Sequence, residues 1–425
     1  MSGIELVAEL KGHTEPAWCV AWNPTRPLLA SCSTDKSVRL YTYHFPSSST
    51  DDTTAKPIFT FLSEIPTAHK RTIRSIAWSP SGRTLVTGSF DSTVGIWEQL
   101  DERDDAEGIE LASGGTAGGE QEDGSGEWEC VTTLEGHESE CKSVGYSSDG
   151  ALLASCSRDK SVWVWEVQPD SDFECISVMM EHTQDVKTLA WHPKEEILAS
   201  ASYDASILLF ADDPDADWGP FQKLQPSLPA VDPPVAPGII TPDNGNVSTS
   251  EQKEARETLP TTDDEFPVPA LKDPETIWSL AFSPCGMFLA SGGDNGGIRI
   301  WARGLSWTST SESTRDEEDL GRLASTGGDG RILIWQIKKT SETILSSHLS
   351  SPVPKISATI VGLQDHAHDI HDINSVAWCR RAVPEDAEEG SNVYARAIKA
   401  QRRTRRLLAT AADDGSVKVW RATEG

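Results

Sequence analysis

Residues 156–167 read CSRDKSVWVWEV. Val162, Trp163, Val164 and Trp165 are β-formers and predict a strand. The trio before them, Arg158, Asp159 and Lys160, is less ordinary, because a plain turn favours Gly, Asn or Ser. Its copies explain it. STDKSVRLY begins at Ser33, SFDSTVGIW at Ser89, SRDKSVWVW at Ser157 and SYDASILLF at Ser202. GDNGGIRIW follows at Gly293, GGDGRILIW at Gly327 and ADDGSVKVW at Ala412. In each copy an Asp or Asn stands six residues before an aromatic. The first set is Asp35, Asp91, Asp159, Asp204, Asn295, Asp329 and Asp414; the second is Tyr41, Trp97, Trp165, Phe210, Trp301, Trp335 and Trp420.

Two further elements precede most copies. His13, His69, His137 and His182 each stand shortly before a strand of the type CVAW, SIAW, SVGY or TLAW, and His368 precedes SVAW with one extra residue. A strand such as LLASCS, TLVTGS or ILASAS then leads into the Asp turn. This spacing is the WD-repeat signature. Each repeat is one four-stranded blade, so the chain is expected to be all-β, a single seven-bladed WD-repeat β-propeller over residues 1–425. Ile4–Leu10 (IELVAEL) alternates and is expected to close the ring as the outer strand of blade 7 beside VKVW, which removes a sheet edge.

The repeated polar residues read as scaffold. The Asp accepts from the His, the His reaches the Ser or Thr four residues before the Asp, and the Trp indole ends the chain. Ser31, Thr87, Ser155, Ser200, Ser325 and Thr410 hold that Ser/Thr position. In blades 2 and 3 the networks are His69, Thr87, Asp91 and Trp97, and His137, Ser155, Asp159 and Trp165. A Ser-His-Asp set invites comparison with a catalytic triad. Its recurrence in blade after blade assigns it to packing instead, since a satisfied buried network specifies one arrangement.

Two blades depart from the pattern. Blade 5 has no His before IWSLAF and carries Asn295 for Asp, which predicts a network weaker by about 1 kcal/mol per missing bond. Blade 6 has no strand like SIAW between Trp301 and RLASTG, so it is expected to be incomplete, lacking its innermost strand. A missing segment in this version of the sequence explains that better than a tolerated defect. Four low-complexity insertions interrupt the ring, at 101–127, 212–274, 302–320 and 384–406. The second is rich in Pro, Asp and Ser and reads as disordered. The last ends in the basic run RAIKAQRRTRR, readable as a nuclear signal or a nucleic-acid patch; the acidic remainder of the chain favours a solvated loop.

The chain has 425 residues, Trp 15 and a net charge of -29. That charge argues against nucleic acid and acidic membranes as partners of the whole surface. No apolar run is long enough to span a bilayer, and the start MSGIELVAEL does not read as a secretory signal, so the chain is expected inside the cell. None of the eight cysteines forms a Cys-x-x-Cys pair. Cys19, Cys32 and Cys156 fall on inner strands as packing thiols, and neither metal nor cofactor is expected.

What remains unexplained by the scaffold is Arg158 and Lys160. They lie on the face that carries the Gly-His loops, where loops vary over fixed strands. Four residues before the end of the first strand, successive blades carry Trp18, Arg74, Lys142, Lys187, Trp278 and Asn374. Blades 2 to 4 thus place bases there, with Arg71 nearby, while Phe90 and Tyr203 occupy the Arg158 position in the flanking blades. Arginine with aromatics is the composition of an interface hot spot.

LEGHESECKSVGYSSDGALLASCSRDKSVWVWEV, EHTQDVKTLAWHPKEEILASASYDASILLF and AHKRTIRSIAWSPSGRTLVTGSFDSTVGIW resemble the WD-repeat subunit of the cytosolic iron–sulfur protein assembly (CIA) targeting complex. The resemblance covers all seven blades, closely in blades 2 to 4. It implies a non-enzymatic scaffold that helps deliver iron–sulfur clusters to cytosolic and nuclear proteins. Its partners would be a small acidic-loop subunit, a HEAT-repeat adaptor, a hydrogenase-like cluster carrier and client apoproteins, in the cytoplasm and also the nucleus. It also implies partner contact through the arginine of SRDKSVW, here Arg158. The alternatives are a substrate receptor of a ubiquitin ligase or another peptide- or histone-reading propeller. Such receptors often carry Trp-Asp-x-Arg, whereas the corresponding stretches here are WEQL, WEVQ and WRAT. An enzyme is least expected, since no unrepeated acid, base or nucleophile set appears.

Overall fold

The computed structural model describes residues 3–46, 55–99, 127–169, 172–212, 218–225, 275–294, 296–302, 319–344, 353–381 and 391–423. The strands form seven antiparallel sheets, the blades of a β-propeller. The chain opens with β1 (Ile4–Leu10). Blade 1 is β2 (Ala17–Trp22), β3 (Leu28–Ser33), β4 (Val38–His44) and β5 (Ile58–Ile65). Blade 2 is β6 (Ile73–Trp78), β7 (Thr84–Ser89), β8 (Val94–Gln99) and β9 (Trp128–Leu134). Blade 3 is β10 (Cys141–Tyr146), β11 (Leu152–Ser157), β12 (Val162–Val167) and β13 (Phe173–Met179). Blade 4 is β14 (Val186–Trp191), β15 (Ile197–Ser202), β16 (Ile207–Asp212) and β17 (Trp218–Leu224). Blade 5 is β18 (Ile277–Phe282), β19 (Phe288–Gly293) and β20 (Ile298–Ala302). Blade 6 is β21 (Asp319–Thr326), β22 (Ile332–Ile344) and β23 (Val353–Gln364). Blade 7 is β24 (Ile373–Trp378), β25 (Leu407–Ala412) and β26 (Val417–Ala422), with α1 (Asn392–Thr404) between β24 and β25.

β1 pairs with β26, Leu6 facing Trp420, so the first strand of the chain completes the last blade as expected. Second strands such as LLASCS (β11) are buried along their whole length, because a blade's second strand is covered on both faces. Outer strands such as β13 are mostly exposed or half-buried, being paired along one edge only.

Neighbouring blades share apolar cores. Blades 1 and 2 meet through Leu28, Leu40, Ile65, Ile73 and Trp97, and blades 3 and 4 through Val164, Met179, Leu198 and Phe210. Comparable clusters join blades 2 to 3, 4 to 5, 6 to 7 and 7 to 1. Among the described residues, no such cluster joins blades 5 and 6. That junction is where a first strand of blade 6 would stand, and the described part of blade 6 runs β21-β22-β23 without one.

The structure redraws three of the four insertions. Within 212–274, residues Trp218–Leu224 are not a loop but the outer strand of blade 4. Trp218 packs edge-on against Trp191, ring centroids 5.7 Å apart. Pro220 is tolerated because an outer strand needs only one edge paired, and it sits beside a register shift. We expect replacement of residues 226–274 by a Gly-Ser linker to leave thermal unfolding unchanged, and Trp218→Ala to cost about 2 kcal/mol. A calorimetric scan of both proteins checks this; a fall of many degrees for the linker variant would overturn it. In 302–320, Ala302 ends β20 opposite Phe288, and β21 begins at Asp319 opposite Lys338, so the ladder claims both ends. In 384–406 the basic run is a helix rather than a solvated loop. Ser391 caps α1 by accepting from the Tyr394 N–H, and Arg402 and Arg403 lie in its last turn, where cations favour the helix dipole. Residues 101–126 lie outside the described residues.

Candidate protein-docking site

The Asp turns are built alike. His137 Nδ1 lies 2.9 Å from Asp159 Oδ2, and Nε2 lies 2.8 Å from Ser155 Oγ. The Trp165 indole N–H donates to the same hydroxyl at 3.2 Å. Blade 2 repeats this: His69 to Asp91 at 3.1 Å, His69 to Thr87 at 2.7 Å, and Trp97 to Thr87 at 2.9 Å. Blades 1, 4 and 7 also join His to Asp and to Ser or Thr. One partner was not anticipated: the Ser or Thr two residues after the Asp donates to its other oxygen, as Ser161 does to Asp159 and Thr93 to Asp91.

Among the described residues, blades 5 and 6 show just the indole end, Trp301 to Ser291 and Trp335 to Ser325, both at 2.9 Å. Ser291 stands four residues before Asn295, a position that sequence reading passed over; Asn295 itself lies outside the described residues. Blade 5 adds a buried pair in compensation, Arg299 to Glu275 at 2.5 Å.

The residue after each Asp has left-handed backbone. Lys36, Ser92, Lys160 and Ala205 have φ of 70°, 71°, 76° and 61°, and Gly296, Gly330 and Gly415 fill the same place in blades 5 to 7. Lys160 therefore turns the chain, and it is exposed. A non-glycine residue pays for this backbone, so we expect Lys160→Gly to stabilise the fold by about 0.5–1 kcal/mol. A urea midpoint that fell instead would show that the lysine makes a stabilising contact.

The bases of the innermost strands occupy β-bulges. The register slips between the first and third residues of β2, β6, β10, β14, β18 and β24, so the extra residue is Trp18, Arg74, Lys142, Lys187, Trp278 or Asn374. A bulge re-aims its side chain out of the ladder. Here Arg74, Lys142, Lys187, Trp278 and Asn374 meet aromatics or acids, and Trp18 meets Thr34 and Arg74. Arg74 lies over Trp18 at 4.7 Å. Lys142 lies over Phe90 at 4.0 Å, and Lys187 lies between Tyr203 at 5.3 Å and Trp278 at 5.0 Å. Burial lowers the Arg74 pKa, while the thiols of Cys19, Cys32 and Cys156 oppose the shift. Burial also lowers Lys142, against the hydrogen bond and charge of Glu140.

Glu140 and Asp185 are the site residues that sequence reading missed. Glu140 takes Lys142 at 2.6 Å, Arg71 at 3.0 Å and Arg158 at 3.7 Å. Asp185 takes Lys187 at 3.3 Å and Arg158 at 3.9 Å. Burial alone would raise the Glu140 pKa, but hydrogen bonds and charge from Lys142 and Arg71 outweigh it and hold it low. Each acid stands two residues before the bulged base, as Glu140-x-Lys142 and Asp185-x-Lys187, and a single repeat gives no sign of the bulge that brings them together. Their carbonyls also hold the turns. Arg158 N–H donates to Glu140 O and Tyr203 N–H to Asp185 O, both at 2.9 Å, as Phe90 N–H does to Thr72 O at 2.8 Å.

The structure thus brings Arg71, Phe90, Lys142 and Arg158 together around Glu140. Arg71 also donates to the Phe90 carbonyl at 2.7 Å. Lys187 and Tyr203 form the adjoining group around Asp185, while Arg74 is stacked on Trp18 toward blade 1. Between blades 2 and 3 an open groove of about 500 Å³ is lined by Arg71, Phe90, Asp91, Glu140 and Arg158 among others. The Arg158 side chain is 58% exposed, and its carboxylate neighbours at 3.7 and 3.9 Å lie beyond hydrogen-bond length. The groove thus presents an exposed guanidinium beside an aromatic ring, a pairing suited to recognition. Among the described residues, no three His, Cys, Asp or Glu side chains group as metal ligands. Burial pushes the Cys32 and Cys156 thiols well up, which disfavours the thiolate that ligation requires.

Comparison with known proteins follows the same lines. The model of the family described as WD domain, G-beta repeat, matches residues 4–42, 56–98, 128–166, 173–210, 267–302 and 400–421, leaving blade 6 unmatched. A probable cytosolic iron-sulfur protein assembly protein 1 from Cryptococcus neoformans is 52% identical over 470 residues, with 99% of each chain covered. The protein so named from Penicillium rubens is 35% identical over 482 residues, covering 96% of each. The Cryptococcus alignment spans 470 positions and this chain has 425 residues, so at least 45 of those positions hold no residue here. A shortfall of that size is in keeping with a blade 6 whose described residues include no first strand. The chain belongs to the WD-repeat family and, within it, to the family of cytosolic iron-sulfur protein assembly protein 1.

Proposed function

We propose that the chain serves cytosolic iron–sulfur protein assembly as a non-enzymatic docking scaffold. It would bind partner subunits and client apoproteins on the loop face of blades 2 to 4. The observation that supports this most is Arg158. Its backbone is fixed by the Asp159 turn and the Glu140 carbonyl, while its guanidinium stands exposed over the groove. A held Arg loses little freedom on binding and suits a carboxylate in bidentate fashion. Phe90 and Tyr203 on either side add apolar area. The five His-containing networks hold turns in blade after blade, which supports a structural rather than a catalytic role for these Ser-His-Asp sets.

Affinity purification from cytosol, with wild type beside Arg158→Glu, tests this reading. The wild type should recover other components of the assembly machinery: a small subunit, a HEAT-repeat adaptor and a hydrogenase-like cluster carrier. Recovery of ubiquitin-ligase components in their place would favour the substrate-receptor alternative and end the proposal.

A further inference from the structure

The opposite face of the ring carries a second charged feature that the docking site does not use. Connections from first to second strand lie at the end away from the Asp turns, and α1 is such a connection. From Ala395 to Ala412 the chain has six bases and no acid, in a protein of net charge -29. One side of the helix is anchored. Thr404 is buried and donates to Ala400 O at 2.9 Å, Arg403 lies over Phe45 at 5.3 Å, and Gln401 donates to Arg381 O at 3.2 Å. Lys399, Arg402 and Arg405 are exposed. Among the described residues, no carboxylate pairs with Arg402 or Arg405. Arg406 follows, half-buried, and its pKa is lowered by burial and then by the charges of Arg405, Arg322 and Arg421. Helix-dipole complementarity accounts for a cation or two in the last turn. It does not account for a helix whose exposed side carries Lys399, Arg402 and Arg405 beside Arg322 of β21, an accumulation of one sign that an anionic partner would neutralise.

We infer that the exposed basic side of α1, with Arg322 beside it, is a docking surface for an acidic segment of a partner protein. Charge complementarity sets the sign of the partner, and the extent of the patch sets its kind. The helix is 13 residues long, about 20 Å at 1.5 Å per residue. An acidic peptide can lie within that length. Duplex nucleic acid, a rigid rod with a charge about every 1.7 Å, would run past the patch and over the acidic body. At physiological ionic strength charges more than about 8 Å away are largely screened, so a short acidic segment responds to the patch rather than to the net charge.

The test titrates a fluorescent Glu/Asp-rich peptide, and separately a duplex oligonucleotide of equal charge, into the full chain. Wild type should bind the peptide in a salt-sensitive manner and more tightly than the oligonucleotide. Arg402→Glu/Arg405→Glu should weaken peptide binding by about tenfold or more, as charge reversal at two contacts does. Arg402→Gln/Arg405→Gln should give an intermediate loss, and it keeps the test valid if the double Glu variant unfolds. Circular dichroism and retained capture through Arg158 on the other face control for folding. Equal binding by wild type and both variants, tighter binding of the oligonucleotide, or self-association abolished by the same substitutions would overturn the inference.

Discussion

Asp159→Ala is expected to lower the unfolding free energy by about 3–5 kcal/mol, the range for breaking a buried charged network. The carboxylate accepts four bonds: His137 Nδ1 and the Glu138 N–H at 2.9 Å, the Ser161 N–H at 2.9 Å, and the Ser161 hydroxyl. Alanine leaves two backbone N–H groups and an imidazole without their acceptor. The ring then loses its orientation, and Ser155 and Trp165 lose theirs in turn. Over the roughly three hundred described residues this corresponds to a fall in Tm of about 5–8 °C. The effect should also depend on pH. Burial alone would raise the Asp159 pKa, but the bonds from His137 and Ser161 outweigh it and hold it well below the usual carboxylate range. A depressed pKa stabilises the fold above the unfolded value, about 3.9, and that stabilisation is lost as pH falls below it. Wild type and variant should therefore differ fully at neutral pH and converge in acid. Urea midpoints at several pH values measure this. A variant as stable as wild type at pH 7 would mean that the turn is held by strand packing alone.

Much of this was legible because repetition multiplies weak signals. One Asp six residues before one Trp means little, but seven such pairs, with His and LAS strands in register, dictate a ring of blades. The closing strand Ile4–Leu10 was readable for a related reason: a ring built from repeats needs an outer strand for its last blade. The outer strand Trp218–Leu224 was missed since WGPFQKL, with Gly, Pro and acidic flanks, has the composition of a loop. Its pairing is supplied by β16 and its burial by Trp191, neither of which local propensity records. α1 was misjudged because its capping residue, Ser391, lies inside an acidic stretch and its anchors are tertiary. At the docking site the bases were visible and their partners were not. Bulges bring Lys142 back toward Glu140 and Lys187 toward Asp185, and a bulge has no signature in a single repeat. Lys160 was grouped with Arg158 on charge alone, although its left-handed backbone sets it apart.

Arg158→Glu is expected to weaken the principal partner contact by about 2–5 kcal/mol, the range for a buried interfacial charge. Three features set that size. The guanidinium is held near two acids without saturating them, so donors remain for an incoming carboxylate. Phe90 and Tyr203 flank it, so a partner that covers them also excludes water and strengthens the pair. Glutamate would set a third carboxylate beside Glu140 and Asp185, adding repulsion to the lost attraction. The fold should survive, because the bond from residue 158 to the Glu140 carbonyl is made by the backbone, and the side chain lies outside the His–Asp–Ser–Trp chain. Arg158→Lys separates charge from geometry: it keeps the cation and loses the bidentate fork, so it should fall between wild type and Arg158→Glu. Binding to purified partner subunits by calorimetry, with circular dichroism on each variant, gives the ordering. If Arg158→Glu binds as wild type does, recognition lies elsewhere on the ring; if it unfolds, the turn and not the interface is what the arginine serves.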